Sequence, residues 1–249
     1  MLKPILDPYD RTARLKPGLL CSIPLITSVV LLIPQFGVVW GLVSTMVVYC
    51  GGTLLLIQIV RDLGKSSEDR LYRAWGGKPS VAMLRLRDDR LDGTTKARYR
   101  KFLQETVPDL EFASSEEELS DPKHGDDVLE SANRWLLSQT KDHTKFNLLF
   151  VENVGYGFRR NLYGMKWLTL TLDAIAITFV GGMGIAGCTG NLENTFQNLE
   201  PEWWVSLLIV VLHSFVFSLY ITSGWVRSAA ESYASELLAA CDMLGENRN

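Results

Sequence analysis

The stretch Trp203–Val226, WWVSLLIVVLHSFVFSLYITSGWV, decides the fold: it runs 24 residues without an Asp, Glu, Lys or Arg. A helix rises about 1.5 Å per residue, so this run is long enough to cross the ~30 Å hydrocarbon core of a bilayer. A second run, Phe36–Val60, has 25 residues and no charge. Two such runs exclude an ordinary soluble enzyme, a secreted disulfide scaffold and a disordered chain. The net charge of -3 on 249 residues also argues against a dedicated nucleic-acid binder, which is normally basic, so no specific nucleic-acid partner is expected.

Two further apolar segments, Gly18–Ile33 and Trp167–Gly187, complete a reading of four spans. The first has only 16 residues, about 24 Å of helix, and needs flanking residues or a thinner bilayer to cross. Pro34-Gln35-Phe36 joins it tightly to the second; a re-entrant hairpin is the alternative there. The charges sort by side. Of 25 Lys and Arg, four precede the first span, 19 lie between Arg61 and Lys166, and two follow the fourth. The loop from Cys188 to Glu202 carries only acids. The positive-inside rule then places both termini and the middle segment in the cytoplasm of a multi-pass inner-membrane protein. Trp203-Trp204 sits where an outer aromatic belt would lie, and Trp167 and Trp225 where an inner one would. A cleaved signal peptide is the other reading of the N-terminus, but Ile33-Pro34-Gln35 is no small-residue cleavage site.

The expected architecture is therefore an all-α membrane protein. It has a cytoplasmic N-terminus (1–17), a transmembrane hairpin (18–60) and a mainly helical cytoplasmic domain (61–166) inserted between the second and third spans. A second pair of spans (167–226) and a cytoplasmic C-terminal helix (227–249) complete it. In the middle segment helical spacing covers Thr94–Thr106, Asp126–Thr140 and Lys145–Tyr163, while Pro108–Gly125 reads as an acidic loop. Val81–Leu86 has the composition of a short strand, and Gly76-Gly77 that of a turn closing a helix from Ser67. Gly155, Gly157 and Gly164 are candidate bends. Cys21 and Cys50 lie in spans and Cys241 in the cytoplasm, so no internal disulfide is expected; Cys188 reaches the outer edge and leaves a bridge between subunits open.

Chemistry-bearing residues are few. Asp173 lies inside the third span, where a carboxylate costs several kcal/mol unless paired, protonated or hydrated. It is either functional or a hydrogen-bonded structural group, and by depth its partner would be Tyr220 or Arg227. His213 lies ten residues into the fourth span. Ser214, Ser218 and Thr222 follow at helical spacing, a face that lines a polar path in an oligomer or makes interhelical hydrogen bonds. The glycine-rich segment Gly181–Gly187 and Gly51-Gly52 read as close-packing positions rather than phosphate loops. Arg85, Arg87, Arg98, Arg100 and Lys101, within a basic run that also holds Arg90 and Lys96, suit anionic headgroups or a small anionic ligand; a solvated mixed-charge surface is the alternative. Arg159-Arg160 suits an interface anchor. His124 and His143 stand outside any metal or nucleophile motif, and no cofactor is expected.

Two stretches carry a resemblance. One is Trp75-Gly-Gly-Lys-Pro-Ser80 with Leu84–Arg87, Asp92, Thr95-Lys96 and Arg98-Tyr99. The other is Phe146, Leu148–Phe150, Glu152-Asn153, Tyr156–Asn161 and Gly164–Lys166. Together they resemble a family of uncharacterised bacterial multi-span integral membrane proteins, which implies a membrane fold and no known activity. In architecture alone the chain is also similar to small multi-span effectors of bacterial defence systems. Three functions follow as expectations. The first is a non-enzymatic sensor or effector, homo-oligomeric in the bilayer, whose cytoplasmic domain meets a protein or small anionic ligand and controls a bundle that conducts ions. The second is a small proton-coupled transporter using Asp173 and His213, and the third a membrane-bound enzyme.

Overall fold

The structure is a computed structural model, and it describes residues 7–33, 41, 43, 51–186 and 199–246. Among these residues there are helices and no strand. Three of the helical stretches are long and apolar enough to cross a membrane: Asp10–Leu32, Lys166–Ile185 and Pro201–Tyr220. Most of the expected second span, Phe36–Val60, lies outside the described residues, as does most of the acidic loop with Cys188. The chain forms two compact units. One comprises Met1–Ser67 and Gly157–Val226, the other Glu68–Tyr156 and Arg227–Asn249.

The first unit is built on α1 (Lys16–Leu32), α2 (Gly52–Ser66), the end of α8 (Asn147–Gly164), α9 (Lys166–Ala186) and α10 (Pro201–Phe215). A π-helical stretch, Asp10–Leu15, leads directly into α1. This resolves the shortness of the first span, because the continuous 23 residues reach about 34 Å. The fourth span is shorter than expected. After α10 the backbone relaxes into a π-helical turn, Val216–Tyr220, and breaks at Ile221. Lys166 fixes that break by donating to the carbonyls of Ser218 and Ile221, both at 3.0 Å, so a cation caps the carbonyl end of the span.

Helices α1, α9 and α10 pack pairwise, and their outward faces are apolar: Ile23, Val30, Ile175, Ile177, Leu208, Val211 and Leu212 are exposed. Trp167 is 71% exposed at the start of α9, as an interfacial residue would be. Trp203 is not a belt residue. It is buried, its Nε1 donates to Val180 O at 2.7 Å, and its ring occupies the space a side chain on Gly184 would need. Gly184 is thus a close-packing glycine, whereas Gly181 and Gly182 meet no neighbour within 4 Å among the described residues. The candidate bend at Gly164 is instead a crossing. A Cβ there would meet the backbone of Leu63 and Gly64, and α8 stays helical as far as Gly164. Asn161, one turn earlier, fills the space over Gly64 and donates to Ala13 O at 2.6 Å.

The second unit holds α3 (Glu68–Trp75), α4 (Pro79–Ala82), α5 (Gly93–Thr106), α6 (Ser115–Ser120), α7 (Pro122–Gln139), the start of α8 and most of α11 (Ser223–Glu246). Its core joins Leu84, Leu103, Leu129, Leu136, Leu237 and Leu238, all with essentially no exposure. Val81–Leu86 is no strand: Pro79 starts a helical turn that ends at Ala82, and the chain continues through turns. The Pro108–Gly125 loop is also mostly helix. Ser114 and Glu117 form a reciprocal capping box for α6, and Asp121 caps α7 from ahead of Pro122, accepting from His124 N at 3.1 Å. As expected, Gly76 and Gly77, both with positive φ, stop α3.

Candidate functional site

The expected intramembrane candidates do not form one stripe; three of them make a cluster and two do not. Asp173, on α9, is 1% exposed. His213 and Ser214, on α10, both reach it. His213 Nδ1 lies 3.0 Å from each carboxyl oxygen, and Ser214 Oγ donates to Oδ2 at 3.1 Å. Depth alone had suggested Tyr220 or Arg227 as the partner. Tyr220 is exposed, with its ring 5.4 Å from that of Trp225, and Arg227 Nε donates to Glu231 at 2.8 Å.

The other side of the imidazole reaches α1, where Nε2 donates to Leu20 O at 3.2 Å. The sequence explains why that carbonyl is open. In a helix Leu20 O would accept from residue 24, but residue 24 is proline and has no N–H. Within a bilayer a carbonyl freed this way needs a donor from a neighbouring helix. His213 supplies it, and the Phe217 ring packs 4.5 Å from the imidazole. Pro24 is the functional residue that sequence reasoning missed; a proline inside an apolar span was the available signal.

The geometry constrains the protons. Nε2 faces a carbonyl, which only accepts, so Nε2 carries hydrogen. The Nδ1–carboxyl contact then holds one proton between its two members. Imidazolium with carboxylate, or imidazole with carboxylic acid, both satisfy every partner, and both are neutral as a pair. The cluster therefore ties three apolar helices together without a net charge between them. A second polar tie lies on the same helices: Ser206 Oγ donates to Ser28 Oγ at 2.8 Å, with both residues fully buried.

Ser218 and Thr222 are not part of this face. The π-helical turn shifts the register after Phe215, and both residues are exposed. Thr222 Oγ1 instead accepts from Trp225 N at 3.3 Å, as a cap of α11. The continuous polar face expected along the fourth span is absent for that reason.

The basic run of the second unit is mostly spent on internal carboxylates and carbonyls. Arg85 makes a two-pronged pair with Asp126, both bonds 2.7 Å. Arg90 bridges Asp88 and Glu231, and Arg98 pairs with Asp242. Arg100 and Glu118 are buried together: Nη1 donates to Glu118 Oε1 at 2.7 Å, and the guanidinium also donates to Leu84 O and Ala113 O. Glu118 Oε2 in turn accepts from Leu86 N at 2.9 Å. Lys96 donates to the carbonyls of Arg85 and Asp88. Lys96, Arg100 and Glu118 pin the 84–90 turn to α5 and α6, Arg85 ties it to α7, and Arg90 ties it to α11, so these charges are committed within the unit. Arg87 and Lys101 remain exposed, and Lys101 reaches only Glu105 at 3.8 Å. Burial pushes the Asp88 carboxyl up, but hydrogen bonds from Arg90 and the charges of Arg90 and Lys96 outweigh it and hold the carboxyl below its usual range. In the first unit, Arg159 caps the 222–225 turn by donating to Trp225 O at 3.1 Å and lies over the Trp225 ring, while Arg160 donates to Asn161 Oδ1. Cys21 and Cys241 are buried free thiols, and burial with the nearby Asp242 charge pushes Cys241 up to about 12.

Among the described residues no group of three His, Cys, Asp or Glu side chains is placed to hold a metal ion. Comparisons with protein-family models, curated proteins and solved structures find no match to this chain. Function has to be read from the geometry of the chain itself.

Proposed function

We propose that the protein is a non-enzymatic membrane sensor-effector whose helical bundle changes its packing in response to an event on the second unit. In this reading Phe36–Val60 supplies a fourth span, both termini and the second unit face the cytoplasm of a bacterial inner membrane, and the working form is a homo-oligomer. The observation that carries it is the Asp173–His213–Ser214 cluster with the Leu20 carbonyl. An intramembrane ionisable pair is expensive, and here it sits where α1, α9 and α10 meet, so its bonding governs how those helices pack. A bundle held by a few polar ties inside apolar surfaces has a second packing within reach when one tie changes. Ion passage is the output of that change.

The test is ion flux through the purified protein in liposomes, with oligomeric mass measured on the same sample. The reading expects flux from a defined oligomer and its loss in Asp173→Leu. A non-conducting monomer, or flux unchanged in that variant, overturns it. The direct Asp173–His213 contact also favours a second reading, a proton-coupled carrier. That reading expects substrate-dependent proton flux which disappears in Asp173→Asn.

A further inference from the structure

A cavity of about 160 Å³ opens in the second unit, lined by the end of α7, the start of α8 and α11. It is lined by the rings of Phe146, Phe150 and Tyr233 and by the polar side chains of Lys141, His143 and Asn153. These polar groups differ from the basic run described above. Lys141, His143 and Asn153 form no side-chain hydrogen bond or ion pair among the described residues. Two carboxylates lie beside these residues in the sequence, Asp142 and Glu152, and Asp142 is turned into the backbone ahead of α8. It accepts from Thr144 N at 2.9 Å, Thr144 Oγ1 at 2.6 Å and Lys145 N at 3.3 Å. Two further features describe the guest. His143 stacks on Phe150, with centroids 4.2 Å apart and planes 23° apart, so the two rings form one aromatic wall of the cavity. Lys145 lies 5.4 Å over the ring of Phe146, so an ammonium group stands against one of the lining rings.

Size narrows the class. A cavity of about 150 Å³ accepts one benzene-sized ring, whereas drug-sized ligands need roughly 300 Å³ or more. We propose that this cavity binds a single-ring aromatic anion, with the ring against Tyr233 and the His143–Phe150 stack, the negative group at Lys141, and a ring substituent at the Asn153 amide. Aromatic walls with a few polar groups that have no hydrogen-bond partner among the described residues are the composition of a small-molecule site. The inference goes beyond the sensor reading and names a class of signal for it. It stands or falls on binding alone, so a failed flux experiment leaves it untouched.

The experiment is calorimetric titration of the full-length protein in nanodiscs with four probes: benzoate, cyclohexanecarboxylate, phenyl phosphate and inorganic phosphate. Saturable binding of benzoate or of phenyl phosphate is expected, and which one binds tighter tells an aromatic carboxylate site from an aryl phosphate site. Cyclohexanecarboxylate, which has the charge and size of benzoate without its flat π face, should bind roughly threefold to tenfold more weakly. Lys141 is exposed, so Lys141→Glu should leave the melting temperature unchanged and weaken the ring anion by about tenfold. Phe150→Ala provides the matching test of the ring wall. Absence of saturable binding by both ring anions overturns the proposal. So does equal binding of inorganic phosphate, or an affinity unchanged in Lys141→Glu.

Discussion

Asp173→Leu removes the acceptor for two donors inside the bundle, His213 Nδ1 and Ser214 Oγ. Interhelical hydrogen bonds in membranes are worth about 0.6 kcal/mol on average and up to about 1.7 kcal/mol, so two of them bring the expected loss to about 1–3 kcal/mol. Leucine has nearly the right size and adds no polar group, so little of that loss is steric. His213→Leu should cost a comparable amount, because it strands the Asp173 carboxyl and the freed Leu20 carbonyl. The double variant Asp173→Leu/His213→Leu should then lose clearly less than the two single losses summed, since the second change removes the group stranded by the first. Reversible unfolding in mixed micelles, with denaturing detergent as the variable, gives the three free energies. The coupling should be at least about 1 kcal/mol. Single-variant costs that add within about 0.5 kcal/mol would refute the reasoning, because independent sites add and partnered ones do not.

Three other outcomes follow from the same geometry. Pro24→Ala restores an N–H four residues after Leu20 and gives that carbonyl a helical donor, so the Asp173–His213 coupling measured in this background should shrink; an unchanged coupling would show that the Leu20 contact does not position the imidazole. Glu118→Ala leaves the Arg100 guanidinium buried without its carboxylate and should cost about 3–5 kcal/mol in chemical denaturation of the second unit, with Glu118→Gln costing less. Asp88 has its folded carboxyl held below the unfolded value of about 3.9, so its contribution is present above that pH and is lost as pH falls through the folded value. Asp88→Asn should therefore flatten the acid side of the stability–pH curve and leave the neutral side nearly parallel to the parent, as read by thermal melts across that range.

Apolar runs and helical spacing made the membrane helices and most of the second unit legible, because hydrophobic length and period are local properties of sequence. Trp203–Val226 announced a span, yet its true end depends on Lys166 reaching the Ser218 and Ile221 carbonyls, a contact between residues more than fifty positions apart. The acidic 114–121 segment read as loop because charge masked a capping box that needs only Ser114 and Glu117 three residues apart. The basic run read as a headgroup or anion surface, or as a solvated mixed-charge one, because the acids that neutralise it, Glu118, Asp126, Glu231 and Asp242, lie elsewhere in the chain. Asp173 and His213 were each legible as costly intramembrane groups. Their pairing was not, since it depends on how α9 and α10 cross, and Pro24 acquires meaning only when His213 is seen to occupy the carbonyl it frees.

The imidazole itself offers the most direct measurement. The chain has three histidines, so replacing His124 and His143 with glutamine leaves His213 as the single reporter. Nitrogen-15 solid-state NMR of that ring in bilayers reads the hydrogen on each nitrogen separately. The account predicts hydrogen-bonded signals at both nitrogens, with the Nδ1 signal displaced in Asp173→Leu and the Nε2 signal displaced in Pro24→Ala. A ring exchanging freely between tautomers, with a spectrum indifferent to both substitutions, would contradict it.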